Sequence, residues 1–121
     1  MHLGQLPRLG ASMAYNVQVS NPASRDLDEA ISYLTRELCA PGAAKSLLDA
    51  YEDKLRLISD NPLLFGVDID VSEAVGKQVR KCQVKHYGIY YLVDEKESLI
   101  QVVAFTHYLR DTPTIIRVRQ H

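Results

Sequence analysis

The stretch "YGIYYLVDEKESLIQVVAFT", residues 87–106, decides the fold. Two apolar runs rich in aromatic and β-branched residues, 87–93 and 99–106, flank a polar link of turn length, "DEKES" at 94–98. That pattern reads as a β-hairpin. Gly88, inside the first run, implies a bulge or a close backbone approach. Both faces of 99–106 are largely apolar, so this is a central strand or one covered by a partner. Just upstream, "QVRKCQV" at 78–84 reads as a third strand.

Before residue 77 the period changes. "YNVQVS" at 15–20 alternates and reads as a half-buried strand. The following "NPASRDLDEAISYLTREL" reads as a helix, with Asn21 as N-cap and Pro22 at the first helical position. Asp26, Asp28 and Glu29 lie early in it, where the helix dipole favours negative charge. Leu27, Ala30, Ile31, Leu34 and Leu38 form its apolar stripe. "APG" at 40–42 breaks the pattern. A second stripe runs through Ala44, Leu47, Leu48, Tyr51, Leu55 and Ile58 until "SDNP" at 59–62 stops it. Two amphipathic helices so joined pack as a hairpin. Residues 63–76 read as irregular with room for one short turn, and 114–120 as a short strand or a tail. The expected fold is therefore α+β, in the order β-α-α-β-β-β, with a helical hairpin on one face of a mostly antiparallel sheet.

A chain of 121 residues with 46% hydrophobic and 24% charged residues fits one soluble globular domain over 14–121. Residues 1–13 read as a loose extension, and Met13 could be the natural start. No apolar run has the length of a membrane helix, and the start lacks a signal-peptide core. Cys39 and Cys82 stand alone, without C-x-x-C spacing, and read as reduced thiols of a cytoplasmic protein. The net charge of −1 is uneven: residues 1–76 hold 6 Lys/Arg against 11 Asp/Glu, and 77–121 hold 8 against 4. A basic C-terminal half on a neutral chain suits a local anionic partner, or serves only to keep sheet edges soluble.

No phosphate loop, zinc spacing or nucleophile elbow is present, so neither metal nor cofactor is expected. His86 and His107 abut strand ends beside Tyr87 and Tyr108, and Lys77, Arg80, Lys81, Lys85 and Arg110 lie in the same half. Metal-free RNA cleavage needs groups that move two protons and cations that hold the phosphate. Tyr, His, Lys and Arg supply these. The competing reading is structural: Lys stems packing on Tyr rings, His107 capping a strand, and Arg110–Asp111 forming a local ion pair.

Four segments in order resemble the RelE/ParE superfamily of type II toxin–antitoxin toxins. They are "YNVQVSNPASRDLDEAISYL", "AAKSLLDAYEDKLRLISDNP", "RKCQVKHYGIYYLVDE" and "IQVVAFTHYLRD", spanning about residues 15–111. The resemblance implies a bacterial growth inhibitor, of the kind used in plasmid stabilisation, neutralised by a cognate antitoxin. That antitoxin would lay a helix or strand on the sheet and helical hairpin, in a toxin–antitoxin assembly or beside a toxin homodimer. It also implies one of two targets. RelE-type and YoeB-type members are ribosome-dependent mRNA endoribonucleases, and ParE-type members poison DNA gyrase without cutting RNA. "THY" at 106–108 resembles the YoeB ending, which would make His107 and Tyr108 catalytic, with Arg110 on the phosphate. Lys77, Arg80, Lys81, Lys85 and Tyr87 would then bind RNA or a partner. The ribonuclease branch keeps an Arg directly after the position of Tyr87; here that residue is Gly88. A degenerate, non-toxic member is the third alternative.

Overall fold

The computed structural model describes residues 14–120, so the expected extension over 1–13 lies outside the described residues. The elements are β1 (Asn16–Val19), α1 (Asn21–Ser32) continuing into a π-helical turn (Tyr33–Glu37), α2 (Pro41–Asp60), α3 (Ile69–Val75), β2 (Arg80–Val84), β3 (Tyr87–Asp94), β4 (Leu99–His107) and α4 (Thr112–Gln120). The strands form one sheet in the order β1-β4-β3-β2. β1 runs parallel to β4, and the other two pairings are antiparallel. The α+β class and the mostly antiparallel sheet are as the sequence indicates.

One face of the sheet carries the main core. Val17, Cys82, Val84, Ile89, Tyr91, Ile100, Val102 and Phe105 pack there against Ala23 and Ala30 of α1 and Leu47, Tyr51, Leu55 and Ile58 of α2. Ser59, itself buried, ties α2 to the first strand: its hydroxyl donates to the Tyr15 carbonyl at 2.7 Å, and Tyr15 N–H donates to the Ser59 carbonyl at 3.0 Å. The buried Tyr91 hydroxyl is satisfied by the Pro62 carbonyl at 2.9 Å.

The opposite face adds two helices to the expected β-α-α-β-β-β order. It is covered by α3 and α4, where Val71, Val79, Tyr90, Val103, Ala104 and Ile116 form a second cluster. Residues 63–76 therefore hold a capped helix, with the Asp68 carboxylate accepting from Val71 N–H at 2.9 Å and Gly76 closing it at φ 73°. Residues 114–120 form neither a strand nor a tail. Asp111 caps their helix by accepting from the Thr114 amide at 3.4 Å and hydroxyl at 2.9 Å. Their β-branched residues lower helix propensity by only a few tenths of a kcal/mol each, roughly, and the burial of Ile116 at 0% exposure outweighs that. The two apolar faces of β4 are thus both covered by the chain itself, without a partner.

A bulge makes this two-sided burial possible. Tyr90 pairs with Ala104 and Tyr91 with Val102, which leaves Val103 as an extra residue on β4. Alternation inverts there: Val102 and Phe105 face the main core, while Val103 and Ala104 face the second cluster. The irregularity sits at Val103 rather than at Gly88. Gly88 serves a close approach instead, since a Cβ added there would meet Lys81 Cε at 2.9 Å and Tyr90 Cε1 at 3.0 Å.

Helix α1 departs from the sequence reading in two details. Its cap is Ser20, whose hydroxyl accepts from Ala23 N–H at 3.1 Å, in place of Asn21. This leaves Asp26, Asp28 and Glu29 beyond the first turn, where the dipole acts less. The π turn then rotates the end of the helix, with Leu38 N–H donating to the Tyr33 carbonyl at 3.1 Å, and turns Leu38 out of the apolar stripe to 53% exposure.

Asp26 has another task. β1 is only four residues long and stops opposite Val102, so the edge of β4 beyond it has no strand neighbour on that side. There the Asp26 carboxylate accepts from Phe105 N–H at 3.0 Å, and Arg119 of α4 donates to the Val103 carbonyl at 3.0 Å. The two side chains grip each other through two bonds of 2.7 and 2.8 Å. They are 11% and 22% exposed, so the pair is little screened. Arg119→Ala should destabilise the fold by about 2 kcal/mol, read as a lowered urea midpoint, because it strands a desolvated carboxylate and a carbonyl. Arg119→Lys should recover less than half, since an ammonium cannot fork across both oxygens. A midpoint unmoved by Arg119→Ala would contradict this reading of the edge.

Candidate functional site

The open end of the β3–β4 hairpin gathers most of the residues marked in the sequence. Tyr87 lies directly across from His107. From there a run of rings leads inward to the core. His107 packs edge-on to Tyr87 at 5.2 Å, Tyr87 stacks on Phe105 at 4.9 Å, and Phe105 meets Tyr51 edge-on at 5.0 Å. Outward, His107 stacks on Tyr108 at 4.6 Å, and His86 tilts against Tyr108 at 6.0 Å. Burial and the neighbouring Tyr33 push the Tyr87 phenol above its ordinary range.

His107 organises the turn that follows. Its Nδ1 accepts from Leu109 N–H at 3.2 Å, and its carbonyl accepts from Arg110 N–H at 2.9 Å. Tyr108 N–H donates across the hairpin to the His86 carbonyl at 2.9 Å. With Nδ1 accepting, the neutral imidazole carries its proton on Nε2. His107 and Arg110 share a cleft with Glu29 and Tyr33 of the α1 segment. Asp111 is turned to Thr114, and no ion pair joins it to Arg110 among the described residues.

The marked cations do not converge. Lys81 and Tyr108 line one cleft with Gln83, His86 and Tyr87. The Lys81 stem lies over Gly88, with its ammonium 5.8 Å from the Tyr90 ring centroid. Lys85 occupies the β2–β3 turn at φ 54° and is exposed. Arg80 is spent on the loop before α3, donating to the Phe65 carbonyl at 2.6 Å and to that of Leu63 at 3.4 Å. It pairs with Tyr91, about 13 Å along β3 from Tyr87. Lys77 lines a separate cleft with Gln18, Leu92 and Gln101. The cluster that looks continuous in sequence is thus divided among three places.

A second feature lies in the seam between α1 and α2. Leu27 and Leu48 line two adjoining hollows there, one reaching Ile31 and Thr35, the other Val19 and Leu55. Tyr51 borders the second hollow. It is 4% exposed, and its hydroxyl has no hydrogen-bond partner among the described residues. Burial, then Asp26 and Glu52, push this phenol up to about 12. Among the described residues no three His, Cys, Asp or Glu side chains converge to hold a metal ion, and no helix is long and apolar enough to cross a membrane.

The family described as the ParE toxin of type II toxin–antitoxin systems, parDE, matches residues 17–112. The chain belongs to this family. It is thus a toxin of a type II toxin–antitoxin system, and membership implies an antitoxin partner. A search of curated proteins gives no match. The family region ends at Thr112, so nearly all of α4, including Arg119, lies outside it.

The sequence reading of this ParE-family toxin missed Glu29, Tyr33 and Leu109. The first two belong to α1 and reach the site only through tertiary packing. Leu109 follows the last strand and carried no periodic signal.

Buried phenol and thiol give the fold an alkaline limit. Tyr51 is raised from 10.0 to about 12, and Cys82 from 9.0 to about 11, both chiefly by burial. Between those values the folded chain keeps protons that the unfolded chain has lost. Stability is therefore full below about pH 9 and falls as pH rises toward the folded values. The unfolding free energy from urea melts should hold from pH 7 to 8.5 and fall by on the order of 2–4 kcal/mol by pH 11, lowering the midpoint. An unchanged midpoint at pH 11 would show that these groups ionise freely in the fold.

Proposed function

We propose that this toxin inhibits growth by gripping a protein target, DNA gyrase, rather than by cutting mRNA. The observation that carries this reading is the missing phosphate clamp beside His107. RNA cleavage concentrates negative charge on one phosphate, and cations must already be aimed at it. Residue 88 is Gly, and the Lys81 stem fills the space above it. Arg80 is committed to loop carbonyls, and Arg119 to Asp26. Among the described residues Arg110 is the one Lys or Arg that lines the His107 cleft, and the Glu29 carboxylate in the same cleft opposes a phosphate.

In the same reading the antitoxin docks at the α1–α2 seam. An apolar hollow with an unpartnered buried hydroxyl suits an amphipathic helix of the antitoxin, one face filling Leu27–Leu48 and a polar group meeting Tyr51.

A ribonuclease reading has one observation in its favour. The Nε2–H of His107 is free to donate in a cleft that also holds Arg110. The variant His107→Asn separates the two. Its side-chain oxygen can still accept from Leu109 N–H, but it cannot transfer a proton. After a pulse of strong expression without antitoxin, wild type should stop growth, trap gyrase–DNA breaks and leave mRNA 5′ ends unchanged, and His107→Asn, which keeps the Leu109 bond but loses the ring under Tyr108, should do the same at reduced potency. Cuts inside translated codons, lost in His107→Asn, would overturn the proposal in favour of the ribonuclease. Unimpaired growth with abundant wild-type protein would make this a non-toxic member.

A further inference from the structure

Leu109 and Tyr108 are among the most exposed large apolar residues described, at 76% and 63%. They are adjacent, and they stand on a turn that is unusually well fixed. Tyr108 N–H is held by the His86 carbonyl, Leu109 N–H by His107 Nδ1, and Arg110 N–H by the His107 carbonyl. Below the turn, the Thr106 and Thr112 hydroxyls share a buried 2.6 Å hydrogen bond that closes its base. The Tyr108 ring rests on His107, and so on the run of rings that ends in the core at Tyr51. A mobile loop could fold such residues inward. This one holds them out, so their exposure is built into the fold.

From this geometry we infer that the Tyr108–Leu109 turn is the anchor by which the toxin docks on its target. The partner is a protein with an apolar pocket rimmed by acidic side chains. The inference rests on the proposed gyrase reading and adds the contact surface to it. Charge supports the acidic rim. Lys85 and His86 stand on the facing turn, Lys81 lies in the adjoining cleft, and Arg110 follows Leu109. The nearest acid in sequence, Asp111, is occupied by Thr114, and Glu29, in the cleft that Arg110 lines, offsets part of this positive charge without cancelling it. Rigidity supports an anchor, because a side chain already held in its bound pose loses little freedom on docking. Tyrosine and arginine are the residue types that carry binding energy at such centres.

Rings and cations together also suit single-stranded nucleic acid. Leu109 decides against it. The most exposed apolar side chain of the turn is aliphatic and offers a base no stacking surface, and one face of Tyr108 is already taken by His107. In this arrangement His107 is a positioning residue, acting through Leu109 N–H and the Tyr108 ring.

The test is surface binding of the full-length chain to purified gyrase, with Tyr108→Ala and Leu109→Ser as variants. Thermal melting and antitoxin binding report the fold. Both substitutions lie on the outside of the turn, so both readouts should match wild type. Gyrase affinity should fall roughly thirtyfold for Tyr108→Ala and about tenfold for Leu109→Ser. Wild-type affinity in both folded variants would overturn the anchor while leaving the gyrase reading intact. No gyrase binding by wild type would remove that reading and the anchor with it. Binding to a single-stranded oligonucleotide that needs Tyr108 but not Leu109 would make the turn a nucleic-acid platform and overturn the inference.

Discussion

The architecture hangs on how the edge of β4 is closed. β4 is nine residues long, and its parallel neighbour β1 covers only the first four. Beyond Val102 an amide and a carbonyl would face the protein interior without a partner, at a cost of about 1–3 kcal/mol each. Asp26 and Arg119 take the place of the missing strand, accepting from Phe105 N–H and donating to the Val103 carbonyl. The pair joins three layers at one point: α1 on one face, the strand edge, and α4 on the other. It holds β4 two residues before the strand ends at His107, which itself pairs with Tyr87 of β3. α4 supplies the arginine of this clasp from beyond Thr112, where the matched family region ends.

Much of this was legible in the sequence, for physical reasons. Strands β2, β3 and β4 were readable because their aromatic and β-branched runs are long and separated by polar turns. The two main helices were readable because their stripes keep helical spacing. The helix α4 was not. Its residues 114–118, Thr-Ile-Ile-Arg-Val, carry strand-like chemistry, and only the burial of Ile116 against the second cluster makes them helical. The two-sided apolarity of β4 was visible, but the sequence could not say that the cover comes from α3 and α4. Asp26 looked like a dipole-facing acid because its partner lies 93 residues away.

The candidate site was legible in part. Tyr87, His107, Tyr108 and Arg110 come together because each sits at a strand end of one hairpin, a relation that sequence spacing preserves. Lys77 and Arg80 do not join them. A strand moves successive residues to opposite faces and about 3.3 Å along, so neighbours in "KQVRKC" are carried apart. Arg80 ends facing the main core and satisfies loop carbonyls, while Lys81 faces the other side over Gly88. The same alternation keeps the cations of this segment from converging on one point among the described residues. What remains is a rigid aromatic turn with scattered cations, better suited to docking than to holding a scissile phosphate.

The proposal is that this toxin grips DNA gyrase and does not cut mRNA. It is tested most directly with purified full-length chain, gyrase, supercoilable plasmid and ATP, stopped with detergent and protease. The quantity to measure is linear DNA as a function of toxin concentration. Linear DNA should rise with toxin and disappear when antitoxin is added. Unimpeded supercoiling at saturating toxin, with mRNA cut when the same preparation meets translating ribosomes, would contradict the proposal.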